Sequence, residues 1–223
     1  MAYTRGDSKQ IIVGAAALFV SKTAAFDPDN VSPTLPDFTS ESYRDTLTAA
    51  TTVVRNVGYT SNGLELQFQP DFGEVQVDQL LDVAKLYKQG MTVNLNTAFA
   101  EATLENLLVA IAAPENSLAK DVKLDNPLEG GTENFADVLE LKSGELGECP
   151  VERGLIAIGP GTGDCAAGSS IERIYVAYRA LSIENVTVSA KRDEASMFEV
   201  SFRLLPANNG SYGKIVDRLV PNS

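Results

Sequence analysis

The chain has no histidine and no tryptophan, only two cysteines in 223 residues, and 18 basic side chains against 30 acidic ones. Each shortage removes a class of chemistry. Without imidazole there is no Ser-His-Asp triad, no Cys-His pair and no imidazole-ligated metal centre. Catalysis by paired carboxylates stays open. Cys149 and Cys165 are far apart and lack CxxC spacing, so neither a zinc site nor a redox motif is suggested. Each reads as a small packed residue, with a loop-closing disulfide as the alternative. The net charge of −12, with no block of Lys or Arg, argues against gripping nucleic acid through its phosphates. Long apolar runs are lacking too. Ile11 to Val20 is about half the length needed to span a bilayer. Asp7 sits among the charges ahead of it, so a first core strand is expected there rather than a secretion signal.

What is present is alternation. Leu64, Leu66 and Phe68 alternate with Glu65 and Gln67, and Met91, Val93, Leu95, Thr97 and Phe99 alternate with Thr92, Asn94 and Asn96. Both have the period of two that gives a strand one buried and one wet face. Asn62-Gly63 favours positive φ and predicts a tight type I′ hairpin with the strand over Thr51 to Tyr59. Leu104, Leu107, Leu108 and Ile111 then fall on one helical stripe. Thr103 is the expected N-cap, Glu105 suits the first turn and Pro114 ends the run, which predicts a helix of about three turns.

Elsewhere, Ile11 to Lys22 reads as a strand with a bulge at Gly14. Phe26 to Ser42 holds Pro28, Pro33 and Pro36 and reads as a long contact loop. Between the alternating strands, Asp78 to Gln89 carries Leu80, Val83, Ala84 and Tyr87 at helical spacing. It is either a short helix or a projecting segment whose apolar residues are buried only against a neighbour. Glu115 to Arg153 is acidic and turn-rich, an expected insertion with Phe135 to Lys142 as its one compact element, and Leu155 to Ile158 follows as a short buried strand. Gly159 to Asp164 lacks both P-loop and GxGxxG spacing and reads as a plain loop. Ile174–Arg179, Ile183–Ala190 and Phe198–Leu204 read as strands. The fold class expected is mainly β: an antiparallel sandwich or partly closed barrel flanked by one helix.

The order of these signals resembles the major tail protein, or tail tube protein, of long-tailed bacteriophages. The resemblance rests on Ile12 to Ser21, Val57 to Gly63, and Glu74 to Gln79 ahead of the excursion. It continues through Gly90 to Val93 and Glu101 to Leu107, and ends with the Lys191 to Pro206 strand pair. It implies one tail-tube domain over 1–223, with 1–10 a flexible arm and 115–170 a decoration. It also implies a virion protein without active site or cofactor, six copies to a ring, and stacked rings forming a tube through which DNA passes unbound. Tape-measure and tail-terminator proteins are the further partners implied, and no membrane. Asp78, Leu80, Leu81, Val83 and Tyr87 are then the candidate contacts between rings, and Glu65, Gln67, Asn94 and Asn96 the candidate bore-facing residues. Two other readings compete: a monomeric carbohydrate-binding or adhesin sandwich, poorly supplied with aromatics, and a carboxylate glycosidase, for which no pair stands out.

Overall fold

The computed structural model describes residues 12, 14–26, 28, 37–38, 43, 47, 53–76, 82–123, 135–143, 149–162, 169–188, 192 and 195–221. Ten strands follow in chain order: β1 (Ala17–Ser21), β2 (Val54–Asn56), β3 (Thr60–Gln76), β4 (Val83–Phe99), β5 (Leu118–Lys123), β6 (Phe135–Leu139), β7 (Arg153–Pro160), β8 (Ser169–Ser182), β9 (Phe198–Leu205) and β10 (Gly213–Pro221). Helix α1 (Leu104–Ala110) follows β4. Eight strands form one antiparallel sheet in the order β2-β1-β7-β8-β9-β4-β3, with β10 also on β8, and β5-β6 form a separate ribbon.

The sheet forks at β8. Its first nine residues pair with β10, from Ser169 opposite Pro221 to Ala177 opposite Gly213, and its last four pair with β9. The two halves fold face to face. Leu18, Val20, Leu155 and Ala177 from one half meet Val93, Leu95, Val200 and Phe202 from the other, and Leu108 and Val109 of α1 join them. Phe99 and Phe202 pack with ring centroids 6.4 Å apart. Burying a side chain of this size contributes roughly 1.5–3 kcal/mol. The mainly β, antiparallel sandwich expected from the alternation is therefore what forms, and the strand order runs from β2 to β3 without closing into a barrel.

The outer face of β1, β7 and β8 is apolar as well, with Phe19, Ile156, Ile174 and Tyr178 buried there under Phe26, Phe38, Tyr43 and Leu47. The proline-broken stretch thus supplies a set of aromatic anchors to a second core. β10 holds them by its cations: Arg218 lies 4.4 Å from the centre of the Tyr43 ring and donates 2.9 Å to the Phe38 carbonyl, and Lys214 lies over Phe38.

Several local expectations are corrected. Asn62-Gly63 does not turn a hairpin. Both residues have positive φ, 62° and 71°, but they form a bulge inside β3, where the register steps from Ser61 opposite Ala98 to Leu64 opposite Thr97. The Thr97 hydroxyl donates 2.9 Å to the Gly63 carbonyl, and β2 pairs with β1 instead. The Val83 to Gln89 part of the excursion is not helical. It is the start of β4, hydrogen-bonded to Phe72–Gln76 of β3; cross-strand partners outweigh the helical spacing. β1 begins only at Ala17, while Gly14, at φ 148° with Pro160 against it, leads into it. Ile183 to Val188 is irregular, with Ile183 and Val188 exposed; the pairing of β8 with β9 stops at Ser182. Of residues 115–170, β5 and β6 stand apart, whereas β7 is a central, buried strand of the main sheet.

Helix α1 has seven residues, two turns rather than three. Thr103 caps it, accepting 3.2 Å from the Asn106 amide. Its buried side differs from the leucine stripe: Asn106, Leu108, Val109 and Ala110 are inside, and Ile111 is exposed. Asn106, 1% exposed, is the reason. Its Nδ2 donates to the Val57 carbonyl at 2.8 Å and the Glu101 carbonyl at 2.9 Å, while its Oδ1 accepts from Arg55 Nη1 at 2.7 Å. Arg55 Nη2 also reaches the Glu105 carbonyl. Burial lowers the pKa of this guanidinium, opposed by the nearby Glu105 carboxylate, so its partners matter. Replacing Asn106 with Leu keeps the branching at Cγ but strands two carbonyls and a cation. The expected loss is about 3–5 kcal/mol, read as a lower urea midpoint at unchanged slope; a loss below about 1 kcal/mol would contradict this role.

Candidate functional site

Among the described residues no group of three or more His, Cys, Asp or Glu side chains is placed to hold a metal ion. Cys149 is a free, exposed thiol; Cys165 lies outside the described residues. No helix among the described residues is long and apolar enough to cross a membrane. The unusual surfaces belong to the β3-β4 hairpin and to the crevice at its root.

Both hairpin strands are 17 residues long, but β9 supports β4 only from Val93 to Phe99. Beyond that, residues 83–92 and 69–76 pair only with each other among the described residues, an arm extending by roughly 30 Å. A two-stranded ribbon is marginal in water on its own, and this one carries large apolar groups on its surface: Phe72 is 54%, Leu86 59% and Tyr87 46% exposed. One face is partly ordered by itself. Tyr87 and Gln89 lie over Gly73, where a Cβ would come within 2.4–2.6 Å of them, and Gln89 Nε2 donates 3.1 Å to the Tyr87 hydroxyl. Val83 and Tyr87 of the predicted contacts are on this arm. Asp78, Leu80 and Leu81 lie outside the described residues. The outer edge of β3 has no strand beside it among the described residues, nor has the far edge of β10.

At the root of the arm, an apolar crevice of about 600 Å³ opens between β4 and β10. Leu66, Phe68, Met91, Tyr175, Tyr212 and Ile215 line it. The Tyr212 hydroxyl donates 2.7 Å to the Met91 carbonyl across it. β10 is fixed there by a two-pronged ion pair, Asp217 accepting from Arg173 Nε and Nη2 at 2.6 Å each.

The four predicted bore residues are brought together. Glu65 sits opposite Asn96 and Gln67 opposite Asn94, and the rungs continue to Ser201 and Arg203 on β9. Glu65 and Gln67 are exposed, and Asn94 and Asn96 half-buried. Ser201 Oγ donates 2.7 Å to Asn96 Oδ1, while Asn94 Oδ1 is buried with no hydrogen-bond partner among the described residues. A shallow recess of about 270 Å³ beside these rungs gathers Glu65, Glu184 and Glu199. Period-two reading found this face. It did not single out Phe72 and Leu86, whose exposure depends on how far β9 runs, nor the crevice, which depends on the fork in β8.

The Arg173 contact holds the Asp217 carboxyl below its ordinary value of 3.8. A depressed carboxylate stabilises the fold above its unfolded pKa and loses that contribution as pH falls through the folded one. Asp217→Asn should therefore lower the urea midpoint at neutral pH, by a small amount because the pair is partly exposed. The gap to the parent should shrink once pH drops below about 3.8. A gap independent of pH would assign the effect to packing.

Comparison of the sequence with known protein families and with characterised proteins finds no match. What these surfaces are for has to be argued from the hairpin, its unpaired edges and the polar rungs themselves.

Proposed function

We propose that the chain is a structural subunit that assembles with copies of itself into rings, six to a ring, stacked as the tail tube of a long-tailed bacteriophage. The observation that carries this reading is the β3-β4 arm, which exposes Phe72, Leu86 and Tyr87 on a ribbon whose strands pair only with each other among the described residues. An exposed, long, partly apolar strand edge invites pairing with another chain. When the two contacting surfaces on a subunit differ, association is head-to-tail, and it closes into a ring or continues as a filament.

The rung face of Glu65, Gln67, Asn94 and Asn96 suits the wall of a conduit. It is polar, carries carboxylates nearby, and offers few cations for neutralising phosphate. Arms reaching past the sandwich suit contacts between successive rings. Virion location, passage of DNA, and contacts with tape-measure and terminator proteins belong to the same proposal.

The test is assembly of the purified chain, followed by light scattering over a wide concentration range and by negative-stain imaging. Sixfold rings or hollow filaments are expected; a persistent monomer would overturn the reading. Phe72→Ser combined with Leu86→Ser should change monomer stability by no more than about 1 kcal/mol, since both sites are surface-exposed, yet prevent stacking. Assembly of this double variant at parental concentration would remove the arm from the interface. Glu65→Lys with Gln67→Lys should leave rings intact and make them retain DNA in a salt-dependent way. Unaltered DNA behaviour in intact rings would place this face outside the bore.

A further inference from the structure

The chain contains two Asn-Gly steps, Asn62-Gly63 and Asn209-Gly210, and their surroundings differ in a way that matters chemically. We infer that Asn62 is a site of spontaneous deamidation in the folded protein, while Asn209 is protected by its turn. The reaction needs the amide nitrogen of the following residue to reach the Asn side-chain carbonyl carbon, and a glycine offers no side chain to obstruct it. In the step, Gly63 N bonds to Cγ of Asn62, the Cγ–Nδ2 bond breaks, and ammonia leaves carrying the proton from Gly63 N. Water then opens the five-membered imide at either carbonyl, giving aspartate or isoaspartate. The balance is one ammonia lost and one water gained, with no oxidant or cofactor.

At Asn209 both reacting groups are occupied. Gly210 N donates 2.8 Å to the Ala207 carbonyl, and Asn209 Oδ1 accepts 2.9 Å from Ser211 N. Attack requires breaking both bonds. At Asn62 the side chain is not held in this way. The residue is exposed, and its side chain has no hydrogen-bond partner among the described residues. The pair stands in the bulge where the ladder skips from Ser61 to Leu64. At both glycines nothing lies within 4 Å of where a Cβ would be, so the difference between the steps is the hydrogen bonding of the asparagine side chain. The one side-chain bond to Gly63 is from the Thr97 hydroxyl to its carbonyl.

The product would alter the rung face. Asn62 borders the recess that holds Glu65, Glu184 and Glu199, so conversion adds a fourth carboxylate to three. Isoaspartate would also insert a methylene into the backbone of the bulge, where the positive φ of Asn62 now sets the step in register. This inference does not depend on how the protein assembles.

The experiment is ageing of the native protein in mildly alkaline buffer, with peptide mass spectrometry at both steps and an isoaspartate-specific methylation assay. A sample held unfolded in urea is aged in parallel. Asn62 should convert at least about tenfold faster than Asn209 in the native protein, the difference expected when one pair is held out of attack geometry. In urea the two should converge to within a few-fold. Asn62→Gly, which keeps a residue tolerant of positive φ, should abolish the isoaspartate signal from that peptide. Equal native rates, or faster conversion at Asn209, would overturn the inference. So would a native Asn62 that stays intact while the unfolded chain converts.

Discussion

A single buried amide holds the two ends of the sandwich together. Asn106 satisfies carbonyls from the β2-β3 link and from the β4-α1 link while accepting from Arg55, so one side chain ties residues 55–57 to residues 101–106. Each unmade bond in that place would cost the full desolvation of a buried polar group, which exceeds the modest net gain of a bond that is made. The clasp therefore acts as a constraint on geometry more than as a source of stability. Around it, Gly58 at φ 83° leaves room for the Glu101 carboxylate, which accepts from the Tyr59 amide at 2.9 Å. The start of β3 is thereby aimed, and with it the whole hairpin.

Arg153 does a similar task at the other end of α1. It is buried, and its Nη atoms donate to carbonyls of Ser21, Lys22 and Ala113 and to the Glu115 carboxylate. Its Nε has no hydrogen-bond partner among the described residues. A buried cation spread over so many carbonyls gives directional contacts that an apolar residue could not, at the cost of desolvating a charge. Two arginines and one asparagine thus set the helix against β1 and β2, and the apolar cores fill in behind them.

How far the sequence foretells this depends on the range of the interaction. Period-two runs such as Met91–Phe99 and Phe198–Leu204 are legible because a strand's two faces are encoded by adjacent residues, and both halves of the rung face follow. The cap at Thr103 is legible for the same local reason. The bulge at Asn62-Gly63 is half legible: positive φ is foretold, but whether it turns the chain or only kinks it depends on a partner strand some 35 residues away. The helical spacing over Val83–Tyr87 misleads because that segment finds its hydrogen bonds on β3. The anchors Phe26, Phe38, Tyr43 and Leu47 are hidden by the prolines between them. Asn106 carries no signal at all in one dimension, since an asparagine in a helix is most often a wet one.

The fork in β8 has a consequence for how the molecule comes into being. β1 pairs with β7, Leu18 opposite Ala157, and Arg218 closes over a segment near the other end of the chain at Phe38. Contacts of such separation are slow to form, because the entropy of closing the loop precedes any reward. During synthesis the early strands wait for β7 and β8, and the aromatic layer stays uncovered until β10 is made. The β3-β4 ribbon, joined by a short connection, has no such delay. The ribbon that exposes Phe72, Leu86 and Tyr87 can therefore begin to pair before the core beneath it is complete, and apolar surface left uncovered on a partly folded chain favours aggregation.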